Sequence, residues 1–223
     1  ITNDGFLLEI DQISRLDADD VYFSTDSFGV ISIKEPNIEQ VDANGVSFDQ
    51  DQRYIYINNF VNQFEDVLFS SNFASPVSGY AAYIDIDSFV DWFLINEIIK
   101  NVDARWFSSI YFHLIPGEKI KMGPLWDHDL GFGNTDYADS QYTDGWWIQQ
   151  NPWINRLLQD PNFVAKVKTR FDYFRDNEQF ILNKIDAYAE KLQWAQQENN
   201  NRWQTFGQYV WPNPVYFDTH QEE

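Results

Sequence analysis

The chain has 223 residues, 43% of them apolar and 18% aromatic, enough to build one sizeable core within a single globular unit. It carries 35 acidic against 15 basic residues, a formal charge of −20, which excludes a nucleic-acid backbone or an anionic membrane surface as a partner. Zero cysteines exclude disulfides and thiolate metal sites but leave the compartment open. No run of about 18 apolar residues is available for a membrane span, and the opening "ITNDGFLLEID" lacks the basic and apolar regions of a signal peptide. Any export signal is therefore expected to lie upstream or to have been removed.

Two stretches read as strands, "GFLLEID" at residues 5–11 and "GVISIKEP" at 29–36, because both are rich in β-branched or large apolar residues and end in turn formers. From about residue 51 the period lengthens, and Phe60, Val61, Phe64, Val67 and Leu68 fall on one helical face. After the breaker "SPVSGY", Asp87 with Ser88 reads as the N-terminal cap of "SFVDWFLINEIIKN", a helix apolar enough to be buried nearly all round. A loop, "NVDARWFSS", then leads to "IYFHLI", a turn at Pro116 and Gly117, and "KIKMGPLWD", the pattern of a β-hairpin. Pairing centred between Gly117 and Glu118 sets Asp127 at a strand end opposite Ser108, a few residues from Asp103.

Residues 135–151, polar and aromatic, are too long for a simple connection and have the character of a functional loop. Asp160 as cap and Pro161 at the first helical position start a helix with Phe163, Val164, Val167, Phe171 and Phe174 on one side. Ile181, Leu182, Ile185, Tyr188 and Leu192 repeat the stripe in another helix. The tail around Pro212 and Pro214 reads as irregular chain packed by its aromatics. No internal repeat or low-complexity tract occurs. The fold class is therefore α+β.

Chemistry concentrates in "KMGPLWDHDLGFGN", residues 121–134. A hard cation such as Mg²⁺ takes one or two carboxylates plus water or phosphate oxygens, which suits Asp127 and Asp129. The glycines that follow allow a sharp turn and close backbone approach to a ligand. Asp103 lies in the preceding loop, where a phosphoryl-transfer enzyme holds the carboxylate that orients the attacking hydroxyl. Each feature has a plainer alternative. An Asp-X-Asp is common on surfaces, and Asp129 could cap a turn. The 9 tryptophans are mostly core, although Trp146, Trp147 and Trp153 could present a stacking platform to a glycan or a protein. His113 and His128 suit packing or hydrogen bonding better than zinc, since no second histidine stands at ligand spacing. The acidic runs "LDADD" and "DYADSQYTD" read as solvated surface, and Arg105 and Arg156 read by default as salt-bridge partners.

The stretch "SFVDWFLINEIIKNVDARWFSSIYFHL", the pattern "KIKMGPLWDHDLGFGN" and the later "GWW" and "PWINRLLQDPNFVAKVKTRF" together resemble the CotH family, the spore coat protein H-like kinases. The resemblance spans roughly residues 5–203, and its most specific part is the Trp-Asp-X-Asp-Leu-X-Phe-Gly pattern of residues 126–133, supported by Asn101 and Asp103. It implies an atypical protein-kinase-like fold, mainly the helical large lobe with a short hairpin carrying the aspartates, and ATP- and Mg²⁺-dependent phosphorylation of protein serines. Carried over residue by residue, it makes Asp103 the catalytic-loop aspartate, Asp127 the metal-binding aspartate and Asp129 a supporting carboxylate. Ser108 and Glu9 are assigned to the nucleotide side. His128 stands where relatives place an aromatic residue, and Ser108 where many place asparagine. "GFLLEID" resembles the link between kinase lobes, so the chain is expected to be one domain without the small lobe and its phosphate-binding lysine, and to have little activity alone. The resemblance further implies a bacterial surface, secreted or spore-coat setting with surface or coat partners. The alternative from another class is a non-catalytic surface or coat module that binds through the exposed aromatics.

Overall fold

Five short strands form one antiparallel sheet, in the order β2-β3-β1-β4-β5, in a computed structural model that describes residues 5–218. The strands are β1 (Phe6–Ile10), β2 (Tyr22–Phe23), β3 (Ile31–Glu35), β4 (Ile110–Leu114) and β5 (Lys121–Met122). The first strand lies at the centre, pairing with β3 on one side and with β4 on the other. Among the described residues the α-helices are α1 (Gln52–Leu68), α2 (Ile86–Ile99), α3 (Pro152–Leu157), α4 (Pro161–Asp176) and α5 (Glu178–Trp203), which with the sheet makes an α+β protein. None of these helices is long and apolar enough to cross a membrane.

The first helix follows the expected period. Asp51 caps it by accepting from the Arg53 N–H, and Ile57, Val61, Phe64 and Leu68 are buried at the spacing of one face, with Phe60 and Val67 at its margins. The second helix starts earlier than the sequence suggests. Its cap is Asp85, which accepts from the Ser88 N–H, so Asp87 lies inside the first turn. The reason is tertiary: the Asp85 N–H donates to the Ile120 carbonyl at 2.8 Å, which keeps residues 84 and 85 extended beside the hairpin. Burial of α2 is nearly complete, as its composition requires, with Ile98 the large apolar exception. Asp160 and Pro161 open α4 as expected, Asp160 accepting from the Asn162 N–H.

Trp153, fully buried on α3, joins the layers. Its ring meets Phe28, Phe64 and Phe112 edge-on at centroid distances of 5.1, 5.1 and 5.4 Å, and its indole N–H donates to buried Glu65 at 2.7 Å. It cannot serve as a surface platform, which removes it from the binding-module alternative.

Three expectations are corrected. The hairpin is short and one residue out of register: Phe112 faces Met122, where the centred turn would give Gly123, and the sheet ends there. Asp127 is therefore not at a strand end, because Gly123 (φ 119°) and Pro124 turn the chain away from the sheet. The hairpin forms one edge of the five-stranded sheet. Finally, α5 has no buried residue, so Ile181, Leu182, Ile185, Tyr188 and Leu192 lie exposed, as do Trp203, Tyr209, Trp211 and Tyr216 of the tail. Periodicity alone carries no information about whether a partner surface exists.

Candidate active site

The site begins where α2 stops. Lys100 takes a left-handed conformation (φ 48°) and its N–H bonds back to the carbonyls of Asn96 and Glu97, which ends the helix and reverses the chain into Asn101. Asn101 is buried; its amide donates to Asn96 Oδ1 at 3.2 Å and to the Asp127 carbonyl at 3.5 Å, while its own Oδ1 is buried without a hydrogen-bond partner among the described residues. Asp103 opens a single 3₁₀ turn, Asp103–Arg105, and its carbonyl accepts from the N–H groups of Phe107 and Ser108. Ser108, fully buried, donates its hydroxyl to Asp103 Oδ2 at 3.3 Å and accepts from Arg15 Nη1 at 2.6 Å. Burial pushes the Asp103 carboxyl above its ordinary value, Arg15 and the Ser108 hydroxyl pull it down in part, and the charges of Asp127 and Asp129 push it up again.

Asp127 and Asp129 arrive from the other side. Asp127 is left-handed (φ 57°), a conformation that aspartate tolerates better than most residues, and its Oδ2 accepts from the Ser109 hydroxyl at 3.3 Å. A turn follows, closed by Gly131 N–H to the His128 carbonyl at 3.1 Å, and Asn134 ties it from below by donating to the Asp129 carbonyl at 2.6 Å. The Phe132 N–H donates to the Ile99 carbonyl at 2.7 Å and the Val102 N–H to the Leu130 carbonyl at 3.5 Å, docking the segment on the end of α2. Glycine gives a close approach at this contact: a Cβ at Gly131 would sit 3.1 Å from the Ile99 side chain and 3.2 Å from the His128 carbonyl, so those neighbours would have to shift to admit it. Desolvation, a hydrogen bond that the protonated Asp129 carboxyl donates to Asp127, and the Asp127 charge all raise the Asp129 carboxyl, although its residue is largely at the surface. Desolvation lowers the His128 imidazole below its ordinary value, against the pull of the Asp127 charge.

Asp103, Asp127 and Asp129 are thus brought within electrostatic reach of one another, with Asp127 and Asp129 in hydrogen-bonding contact. Two convergent carboxylates in left-handed and turn backbone are a donor set of oxygen atoms, which fits a hard dication and not zinc. Among the described residues no group of three or more His, Cys, Asp or Glu side chains is placed to hold a metal ion, so a cation here would draw its other ligands from water or phosphate.

Other sequence assignments are redirected. Ser108 faces Asp103 and Arg15, and the hydroxyl that reaches Asp127 is that of its neighbour Ser109. Glu9 is buried at the centre of the sheet and held by Lys34 at 3.1 Å and by the Tyr111 hydroxyl, whose titration that contact and burial push upward. Its carboxylate is thus already committed within the sheet. Arg105 makes no ion pair among the described residues; its guanidinium lies between the rings of Trp106 and Trp147 at 3.6 and 3.7 Å from their centroids. Trp147 is correspondingly half-buried, leaving Trp146 as the exposed member of the trio. Arg156 binds the carbonyls of Leu68 and Ser70 beyond the end of α1, and stacks on Phe73. His113 hydrogen-bonds the Gly123 carbonyl through Nδ1, as a structural histidine does.

Arg15 and Ser109 are the residues that sequence reasoning missed. Arg15 lies 93 positions from the serine it touches, just ahead of the acidic run that reads as solvated surface, and no local spacing announces it. A family profile described as CotH kinase protein matches residues 4–222. No curated protein and no solved structure matches the chain.

Proposed function

The chain belongs to the CotH kinase family, and from that premise we propose that its three aspartates serve ATP- and Mg²⁺-dependent phosphoryl transfer to a serine hydroxyl of a protein, on a divergent protein-kinase-like scaffold. The observation that carries the reading is the meeting of Asp103 with Asp127 and Asp129 from two segments separated in sequence and tied to each other by hydrogen bonds.

Asp103 is the residue placed to receive the hydroxyl. Ser108 and Arg15 fix its carboxylate, and burial raises its proton affinity, both of which favour a group that accepts a hydrogen bond from an incoming alcohol. As the seryl oxygen bonds to the γ-phosphorus, the bond from that phosphorus to the β–γ bridging oxygen breaks, ADP leaves, and Asp103 takes the hydroxyl proton. Asp127 and Asp129 would hold Mg²⁺, which when bound would neutralise phosphate charge. Removing that cation leaves two carboxylates sharing one contact, so the empty site stores repulsion that binding relieves. Arg15, an exposed cation one hydroxyl away from Asp103, supports the ionised form of that carboxylate. The rest of the work is positioning, with no covalent enzyme intermediate.

Isothermal titration with ATP, with and without Mg²⁺, tests the reading on this chain and on one extended upstream. The expected result is metal-dependent binding that Asp127→Asn abolishes and Asp103→Asn retains, with serine phosphorylation lost in both. Absence of binding by well-folded protein in both lengths would refute it and favour a non-catalytic surface module.

A further inference from the structure

The segment that bears the aspartates continues into the wall of a cavity of about 820 Å³, and none of the three aspartates lines that cavity. Its apolar lining comes from the end of α2 (Ile98, Ile99), from α4 (Val167, Phe171), from the aspartate-bearing segment (Phe132) and from the long loop (Trp146). The volume is that of a small-molecule pocket. Phe132 is 75% exposed, Trp146 59%, Ile98 52% and Phe171 47%, so four large apolar side chains share one concavity open to water. Scattered exposed apolar residues need no explanation, but a lined concavity of them does.

The polar groups in the same lining give the ligand its charge. Lys100 donates through Nζ to the carbonyls of Tyr142 and Asp144, neutral acceptors that leave its charge uncompensated. Among the described residues Lys168 has neither hydrogen bond nor ion pair, and no ion pair includes Lys100. Two uncompensated cations in one cavity contrast with a chain of formal charge −20. Glu97 also lines the cavity, but its carboxylate is occupied by the N–H groups of Trp147, Ile148 and Gln149. Gln141 adds an amide whose Oε1 is buried without a hydrogen-bond partner among the described residues. An apolar pocket with a few polar groups, in which the two lysines outnumber the one hydrogen-bonded carboxylate, is the arrangement that recognises an anionic amphiphile.

We propose that this cavity binds a small carboxylate amphiphile, its apolar body against Phe132, Trp146 and Phe171 and its carboxylate at Lys168 and Lys100. Binding requires neither nucleotide nor metal, so the proposal stands or falls apart from phosphoryl transfer.

Isothermal titration of the full chain with octanoate, and in parallel with neutral 1-octanol, tests it on wild type, Lys168→Gln and Phe171→Ala, each first shown to melt cooperatively. The expected result is one octanoate per chain, bound about tenfold more tightly than 1-octanol. Lys168→Gln is expected to weaken octanoate about tenfold, the scale of one charge-assisted bond, with 1-octanol unchanged, and Phe171→Ala to weaken both. Absence of octanoate binding by folded wild-type protein, equal affinity for 1-octanol, or octanoate binding indifferent to both substitutions would overturn the assignment.

Discussion

Buried carboxylates in the body of this molecule and the carboxylates of its candidate site are treated in opposite ways. Glu65 accepts from the Trp153 indole, the Thr25 hydroxyl and the Ser27 N–H, and Glu97 from three consecutive backbone N–H groups at 2.7 to 3.1 Å. Asp160 accepts from the Tyr80 hydroxyl and the Asn162 N–H. Each has its charge answered by donors from the chain, which is the condition for burying a carboxylate. Asp127 and Asp129 instead face each other, and Asp103 feels both. The first group fastens elements distant in sequence; the second sets three negative charges against one another, which the Ser108 and Ser109 hydroxyls and Arg15 answer only in part. Mutually opposed charge costs stability and is kept where something external relieves it.

If that contrast is right, the largest effects of substitution belong to the first group. Trp153→Ala removes the donor to Glu65 together with the ring that joins the sheet to α1 and α3, and an expected loss of about 3–5 kcal/mol would consume much of the stability of a domain this size. Urea denaturation reads it directly. Glu97→Ala leaves the N–H groups of Trp147, Ile148 and Gln149 without their acceptor, one of them fully buried, at a cost of about 3 kcal/mol. Hydrogen exchange should accelerate at residues 147–149 specifically. Protection unchanged at those amides would show that Glu97 is not what holds the loop to α2.

Much of the body was legible because its signals are local. The first and third strands, the Asp160–Pro161 helix start and the period of α1 depend on neighbours within a few residues, and the structure has them where the pattern puts them. The α2 cap was misplaced by two residues because the Asp85 N–H is held by Ile120, a contact 35 positions away that outweighs the local cap preference of Asp87. The site divides the same way. Asp103, Asp127 and Asp129 announce themselves by motif, whereas Arg15 and Ser109 owe their places to the sheet, which carries the segment after β1 onto the 103–108 loop. Glu97 was hidden for a further reason: an acidic residue on an apolar helix gives no sign of whether it meets water or a row of amides.

Within the second group the effects should be smaller and of opposite sign. Asp127→Asn removes one of two mutually repelling charges, so in the absence of divalent cation the variant should melt at or slightly above the wild-type temperature. Millimolar Mg²⁺ should raise the melting temperature of the wild type by mass action and leave the variant unmoved. A variant that melts well below wild type without Mg²⁺ would place Asp127 among the structural carboxylates and erase the distinction drawn above.

The smallest effect is the most specific, because it is a pH dependence. The carboxyl of Asp129 is raised in the folded protein, by burial and by Asp127, so between the ordinary carboxylate value and its raised one the folded state binds more protons than the unfolded chain. Stability contributed by this group is therefore fully present at acid pH and lost as pH rises through that window, the reverse of a carboxylate held by a salt bridge. Asp103 is displaced in the same direction and keeps part of the slope. Asp129→Asn should flatten the melting temperature's decline from about pH 4 upward, since an amide does not titrate in that range. Mg²⁺ should flatten it as well in the wild type, because a bound cation favours the ionised carboxylates that the protons oppose. A wild-type profile that instead rises over this window, and falls away in the variant, would mean that the backbone donors at Asp129 outweigh burial and the Asp127 charge.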